Sequence, residues 1–257
     1  MKTLKRIALI SLCLTVLSLP VGAGATSAAP ATPVVKSAAN GNGYVKVVWG
    51  KVTNASGYYV YRKTSGTSWA RIATLKVNST VSYADKTVKS GTAYRYTVRA
   101  YVGSTLSGYS STGVVIRYLS TPMLKGVKNT ASGPTVSWTK VTGASGYYVY
   151  RKTSSTAWAK VGTVKSGATV SFANTTAKDA TTYSYMVRAY NGSYMSSYNA
   201  TGLTIKAIMY VYYTPGGACY HLLTCPTIKK SKTITKGTVS AAKKAGKRAC
   251  KDCKPPQ

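Results

Sequence analysis

Carboxylates are almost missing from this 257-residue sequence. It holds no glutamate, and its only aspartates, Asp85, Asp179 and Asp252, lie in three separate segments against 35 Lys and Arg. Glycoside hydrolysis by paired carboxylates needs two acids close together, and that distribution does not supply them. A calcium site built from carboxylates is excluded on the same ground. Histidine is nearly absent too, so a Ser-His-Asp arrangement would have to draw on His221, the only one. Most hydrolytic chemistry therefore lacks its parts, and a non-enzymatic protein is expected. Beyond the first twenty residues no run is long and apolar enough for a membrane helix, so no membrane span is expected in the mature chain. Between residues 20 and 218 there is no cysteine at all.

The N-terminus reads as a secretory signal. Lys2, Lys5 and Arg6 precede an apolar run over 7–19, too short to span a bilayer, and Ala23, Gly24 and Ala25 offer small residues for cleavage. Residues 1–25 are assigned to it, and cleavage would remove Cys13. The remaining protein is expected to be secreted and extracellular, with any retention at the cell wall non-covalent.

Past that segment the chain repeats itself. WGKVTNASGYYVYRKT starts at Trp49 and WTKVTGASGYYVYRKT at Trp138, and the same offset of 89 residues links Pro33 to Pro122, Trp69 to Trp158, Tyr94 to Tyr183, Arg99 to Arg188 and Tyr109 to Tyr198. A repeat of that length is a whole domain rather than a solenoid unit. Short runs rich in Val, Tyr and Thr alternate with Gly, Ser and Asn and show no helical period. Strands are predicted over 44–49, 57–63, 69–74, 81–84, 92–102 and 113–118, and about seven short strands at such spacing form an aligned β-sandwich.

The opening prolines, the Val-Val-Trp49 and Val-Ser-Trp138 strands, the Gly-Tyr-Tyr-Val-Tyr strand and the Val88-Lys-Ser-Gly-Thr-Ala-Tyr94 run resemble the fibronectin type III family in its secreted bacterial form. The resemblance implies a tyrosine corner at Tyr94, repeated at Tyr183, with the hydroxyl bonded back to backbone. In the second unit Asp179-Ala180 stands where the first has Ser90-Gly91. The fold expected is mostly β: two tandem immunoglobulin-like (fibronectin type III) sandwiches over 30–119 and 120–207, then a small α+β Cys/His module over 209–257.

Strand alternation sorts the side chains. With Tyr94 as the corner, Tyr96, Val98 and Ala100 point inward and Arg95, Thr97, Arg99 and Tyr101 outward; on the facing strand Tyr58 and Val60 go in and Tyr59, Tyr61 and Lys63 out. Unit two presents Tyr148, Tyr150, Lys152, Arg188 and Tyr190 equivalently. Two readings stay open for this face. It is a binding surface, with rings for sugars and cations for anions, or it is a sheet of good strand formers covered by cross-strand Arg neighbours. Trp69 and Trp158 are read the same two ways, as ligand platforms or as packing on the sandwich edge.

From about residue 209 the composition changes. His221 and Cys225 have three residues between them, Cys250 and Cys253 two, and 24 separate the pairs. Such spacing suits a tetrahedral Zn²⁺, with His221, Cys225, Cys250 and Cys253 as ligands. A short helix is predicted over 238–245, closed by Gly246. The large apolar residues Leu222, Leu223, Ile228, Ile234 and Val239 are too few for a self-sufficient core, so the metal would supply folding energy. Tyr-His-x3-Cys-Pro followed by Ala-Gly-Lys-Arg-x-Cys-x2-Cys is similar to the zinc-binding domain of Ada-type DNA-repair proteins. His221 stands where that family carries its methyl-accepting cysteine, so a structural zinc is implied rather than a reactive one. The alternative is two disulfides among Cys219, Cys225, Cys250 and Cys253, natural in an exported protein but leaving His221 without a role.

The formal charge is +32, and the module concentrates it at Lys229, Lys230, Lys232, Lys243, Lys244, Lys247, Arg248 and Lys251. Clustered cations attract polyanions through counterion release and steering. The expected function is that of a monomeric, secreted or wall-associated binding or spacer protein docking on an anionic polymer such as teichoic acid or acidic polysaccharide. The alternative is an extracellular nucleic-acid-binding accessory protein acting through the basic zinc module.

Overall fold

The computed structural model describes residues 28–256. The signal segment assigned to 1–25, with Cys13, lies outside the described residues. Unit one forms β1 (Val35–Asn40), β2 (Val45–Trp49), β3 (Gly57–Lys63), β4 (Ala70–Leu75), β5 (Ser82–Asp85), β6 (Ala93–Val102), β7 (Thr105–Leu106) and β8 (Val114–Arg117). One sheet runs β1-β2-β5; the other runs β4-β3-β6-β7, with β8 also on β6. Unit two repeats this with β9 (Leu124–Thr130), β10 (Gly133–Trp138), β11 (Gly146–Lys152), β12 (Ala159–Val164), β13 (Ser171–Ala173), β14 (Thr182–Asn191), β15 (Tyr194–Met195) and β16 (Leu203–Lys206). Its sheets are β13-β10-β9 and β12-β11-β14-β15, with β16 on β14. The chain is mostly β, and these are two tandem immunoglobulin-like sandwiches of fibronectin type III topology.

β1 was not among the strands read from sequence. Its VKSAAN run has little β propensity, and it owes its extended state to pairing with β2 alone, through a bulge between Val35 and Ser37. The core follows the alternation: Tyr58, Val60, Tyr96, Val98 and Ala100 are all fully buried, with Trp49 packed edge-on against Tyr58 at 5.5 Å. Each such valine contributes about 1.5–3 kcal/mol by leaving water. One expectation is corrected. Thr97 lies on the outward side yet is 1% exposed, because its register partner is the bulky Tyr61 on a face already covered by rings; Met186 takes the same place in unit two.

The tyrosine corners form at both expected places. The Lys89 amide donates to the Tyr94 hydroxyl at 2.8 Å, and the Lys178 amide to Tyr183 at 3.1 Å. Beneath the first corner lies Asp85, fully buried, whose carboxylate accepts from Arg62 (2.6 Å), the Tyr96 hydroxyl (2.8 Å), and the Thr87 amide and hydroxyl (2.9 and 2.7 Å). Unit two has Asn174 there, donating to the Tyr185 hydroxyl at 2.6 Å; Arg151 stacks on Tyr183 as Arg62 does on Tyr94 but, with no carboxylate to meet, it reaches Thr176 instead, at 3.4 Å from its hydroxyl.

The C-terminal segment adds β17 (Tyr210–Tyr213), β18 (Cys219–His221), α1 (Pro226–Lys229), β19 (Thr235–Thr238), α2 (Val239–Lys244) and β20 (Arg248–Ala249) in a sheet ordered β19-β17-β18-β20. α2 starts on Thr238, whose hydroxyl accepts from the Ala241 amide at 3.0 Å, and Gly246 leaves it at φ +72°. Its core differs from the sequence expectation. Ile228 and Val239 are buried as expected but Leu223 and Ile234 are exposed, and Val239 joins Met209, Val211, Tyr220 and Ala242 in one cluster with Trp138, Tyr147 and Tyr185 of unit two. The module borrows its apolar core from the sandwich before it. Asp179 completes the junction by accepting from the Met209 amide (2.8 Å) and from the amide and hydroxyl of Ser240.

Candidate metal centre

Two loops converge on one point beside β18. The strand ends at His221, and a turn closed by the Cys225 amide on the Leu222 carbonyl (3.0 Å) places Cys225 at the cap of α1, where Pro226 occupies the first helical turn and needs no N–H partner. β20 runs parallel to β18, pairing Cys219 with Arg248 and Tyr220 with Ala249. The Cys250 amide continues that ladder onto the Tyr220 carbonyl at 3.0 Å, which sets Cys250 beside His221. From Cys250 the chain turns back through a bond from the Lys254 amide, with Lys254 at φ +43°, and so brings round Cys253.

One ligand atom each of His221, Cys225, Cys250 and Cys253 lies within 4.8 Å of every other. The first three residues are buried and Cys253 half-buried. Four donors around Zn²⁺, with bonds of about 2.0–2.3 Å, would sit somewhat closer together, so the set needs only a small contraction to close on an ion. The Leu222 amide donates to the Cys253 sulfur at 3.4 Å, an N–H···S bond that favours a thiolate there and holds its orientation. Without a cation the sulfurs cannot all ionise together. Burial opposes the Cys225 thiolate, but the Thr227 amide, His221 and Cys253 bring it down to about 6; burial and the neighbouring Cys225 push Cys253 up to about 11. A divalent ion would remove that conflict. The four cysteines of the described residues are unpaired thiols. Cys219 packs beside Cys225, Ile228 and Cys250 but stands outside the four-atom cluster. The two-disulfide alternative uses Cys219 and omits His221; the arrangement does the reverse.

The basic residues of the module divide into two groups. Lys243, Lys247 and Arg248 border a shallow cleft with Tyr220, and Lys247 is held by a 2.7 Å bond to the Pro215 carbonyl. Lys229, Lys230 and Lys232 follow at the end of α1, Lys244 closes α2, and Lys251 lies in the turn between Cys250 and Cys253.

On the outer faces of the sandwiches, rings and cations interlock. Tyr59 stacks on Tyr101 at 4.7 Å with Arg71 on its other side at 4.7 Å, and in unit two Tyr148 stacks on Tyr190 at 4.5 Å with Lys160 at 4.6 Å. Lys63 covers Trp69 and Lys152 covers Trp158. Arg99 and Arg188 lie over Tyr109 and Tyr198, each fixed by a bond from its Nε to the Ser107 or Ser196 carbonyl. Tyr61 closes a cleft of about 160 Å³ with Trp69, Arg99 and Tyr109, and Tyr150 meets Tyr198 edge-on at 5.6 Å. Arg95 instead bonds the Thr112 carbonyl at 3.0 Å and has no counterpart in unit two, where Ser184 stands. Sequence reasoning missed Arg71, Tyr109, Lys160 and Tyr198 as members of these faces. The constant offset pairs Arg71 with Lys160 and Tyr109 with Tyr198, and that was the available signal.

No helix of the described residues is long and apolar enough to cross a membrane. No family model matches the chain, and no curated protein does. Among solved structures, the FN1–FN3 domains of chicken CNTN1 are similar at 20% identity and TM-score 0.34, over 69% of this chain and 66% of that one. An Fn3-like protein from Clostridium thermocellum is similar at 29% identity and TM-score 0.31, over 35% of this chain and 94% of that one. A segment of two fibronectin type III domains from chicken tenascin is similar at 17% identity and TM-score 0.38, over 69% of this chain and 98% of that one.

Proposed function

We propose that this is a secreted, non-enzymatic binding and spacer protein that docks on anionic polymers, its C-terminal module closed by a structural Zn²⁺ on His221, Cys225, Cys250 and Cys253. The observation that carries the reading is the placement of the few acids. The buried Asp85 is committed to four hydrogen bonds in a sandwich core, and Asp179 holds the last module. Asp252 sits in the metal turn, its carboxylate 4.0 Å from the Cys250 sulfur. With no other carboxylate in a chain of net charge +32, the solvent-facing surface offers cations almost alone. Such a surface suits a phosphate- or carboxylate-rich polymer outside the cell, held through counterion release. The zinc assignment draws on three thiols and one imidazole converging with burial and an N–H···S bond.

Binding of the full chain to purified poly(glycerol phosphate) teichoic acid, to polygalacturonate and to duplex DNA should be measured from low to moderate salt. Steep weakening with salt is expected for the wall polymer or the polysaccharide. Affinity flat across that range, or no binding at low salt, would remove the electrostatic reading. Preference for DNA at physiological salt would favour a nucleic-acid accessory role in its place.

A further inference from the structure

The outer faces raise a narrower question, which rests on the polyanion reading above: are the rings there to touch a ligand? A ring that binds a sugar or a base must offer its face. Here a cation lies over each of three rings. Arg71 and Tyr101 cover the two sides of Tyr59, Lys63 covers Trp69 and Arg99 covers Tyr109. What reaches solvent is a set of cations resting on aromatic supports, and a free Lys or Arg side chain would lose far more freedom on meeting an anion than one already held.

From this we infer that each sandwich carries a preorganised cation ladder, Lys63, Arg71 and Arg99 in unit one and Lys152, Lys160 and Arg188 in unit two, that binds a flexible linear polymer with closely spaced phosphate or carboxylate groups. The rungs stand on adjacent strands, β4, β3 and β6, but at successive levels: Arg99 is opposite Tyr59, Arg71 opposite Tyr61, and Lys63 two residues further along β3, so the cations are spread over one sheet face rather than set in a single row. Internal duplication supports the assignment. Of the nine other cations of the first unit the second has lost three, with Thr135, Thr175 and Ser184 where the first has Lys46, Lys86 and Arg95, and keeps the sign at six. All three rungs keep their sign, and every supporting ring, Tyr59, Tyr61, Trp69, Tyr101 and Tyr109, keeps its identity. Because a cation lies on Tyr59, Trp69 and Tyr109, a base stacking on that face would have to displace it, which favours an anionic glycan or teichoic chain over single-stranded nucleic acid.

The test separates supports from charge. Tyr109 and Tyr198 are each 44% exposed, so Tyr109→Ser with Tyr198→Ser should leave both cores intact while removing the ring beneath Arg99 and Arg188, leaving each guanidinium only its Nε bond, at unchanged net charge. Circular dichroism checks that the variant is folded. Its Kd for poly(glycerol phosphate) or for polygalacturonate is expected to rise about tenfold. Lys46→Thr with Lys86→Thr removes two charges off the ladder, using residues unit two already tolerates, and is expected to raise Kd by less than about threefold. Comparison of the two polymers distinguishes phosphate from carboxylate as the preferred anion. If the Tyr variant binds like the parent, or the Lys variant loses more than it, the ladder is refuted while general polyanion binding stands. If DNA alone responds to the Tyr substitutions, the polymer class is refuted. Absence of any binding by the parent chain refutes the underlying function instead.

Discussion

Replacing Asp85 by asparagine keeps the shape of a fully buried side chain and removes its charge. The second unit shows how the fold accommodates the change. Asn174 accepts from the Thr176 amide and hydroxyl at 3.3 and 3.0 Å and donates to the Tyr185 hydroxyl. Asparagine at 85 can therefore retain the Thr87 and Tyr96 contacts, and the main loss is the 2.6 Å bond from Arg62. A hydrogen bond to a charged group is worth about 1.5–3 kcal/mol, and the Arg62 side chain, 22% exposed, recovers part of it from water. A cost of about 2 kcal/mol to unit one is expected. Hydrogen exchange followed by mass spectrometry localises the effect within the full chain: peptides from β3 and β6 should exchange roughly 30-fold faster, those from β11 and β14 unchanged. The pH dependence has a fixed sign. Burial pushes the Asp85 carboxyl up, but the bonds from Thr87, Tyr96 and Arg62 outweigh it and leave the group below its ordinary value. The stabilisation is therefore whole above about pH 4 and is lost as pH falls through the lower, folded value, so parent and variant should converge there. A difference that persisted in acid, or that spread equally into unit two, would refute this account of Asp85.

Three further outcomes are expected. Removing Zn²⁺ with a chelator should unfold the C-terminal module and lower the melting temperature of unit two, whose core it shares, while unit one melts unchanged in calorimetry; Cys219→Ser should retain one metal per chain by native mass spectrometry and Cys250→Ser none. Asp179→Ala should cost about 1–3 kcal/mol at the junction by stranding the Met209 and Ser240 amides, seen as faster exchange over 209–213 and 239–244. Its carboxyl is also held low, with hydrogen bonds from Met209 and Ser240 overcoming burial, so the parent junction should loosen as pH falls below about 4. Tyr94→Phe should cost on the order of 1 kcal/mol in urea unfolding of unit one, because the Lys89 amide loses its acceptor.

What is legible in the sequence is whatever follows from period and offset. The alternation in Gly57–Lys63 and Ala93–Val102 assigned Tyr58, Val60, Tyr96, Val98 and Ala100 to the core because a strand has only two faces. The convergence of His221 with Cys225, Cys250 and Cys253 was readable from spacing, since short-spaced pairs present their donors together. What escaped depends on contacts distant in sequence. β1 is a strand by virtue of its partner. The core of the last module looked too small because half of it belongs to unit two. The choice between bare and covered rings stayed open because spacing cannot tell which cation folds over which ring.

The two units also record how a duplicated module acquires different neighbours. Ser90-Gly91 and Asp179-Ala180 occupy the same turn, with the same amide-to-carbonyl bond at Gly91 and Ala180 and the same left-handed φ, +86° and +61°. In unit one this turn meets unit two: the Ser90 hydroxyl donates to the Thr142 carbonyl at 2.9 Å. Gly91 packs so closely on Gly143 that a Cβ added to Gly143 would lie 2.3 Å from the Gly91 Cα. The position matching Gly143 in unit one is Asn54, also at positive φ but exposed. Glycine at 143 is thus required by the approach of the neighbouring unit rather than by the turn alone, which asparagine can also adopt. In unit two the same turn meets the metal module instead. A carboxylate there can receive three donors from one strand start and one helix start, which a serine hydroxyl could not. The rare acid and the lost glycine at this turn therefore have one cause: the identity of the module packed against it.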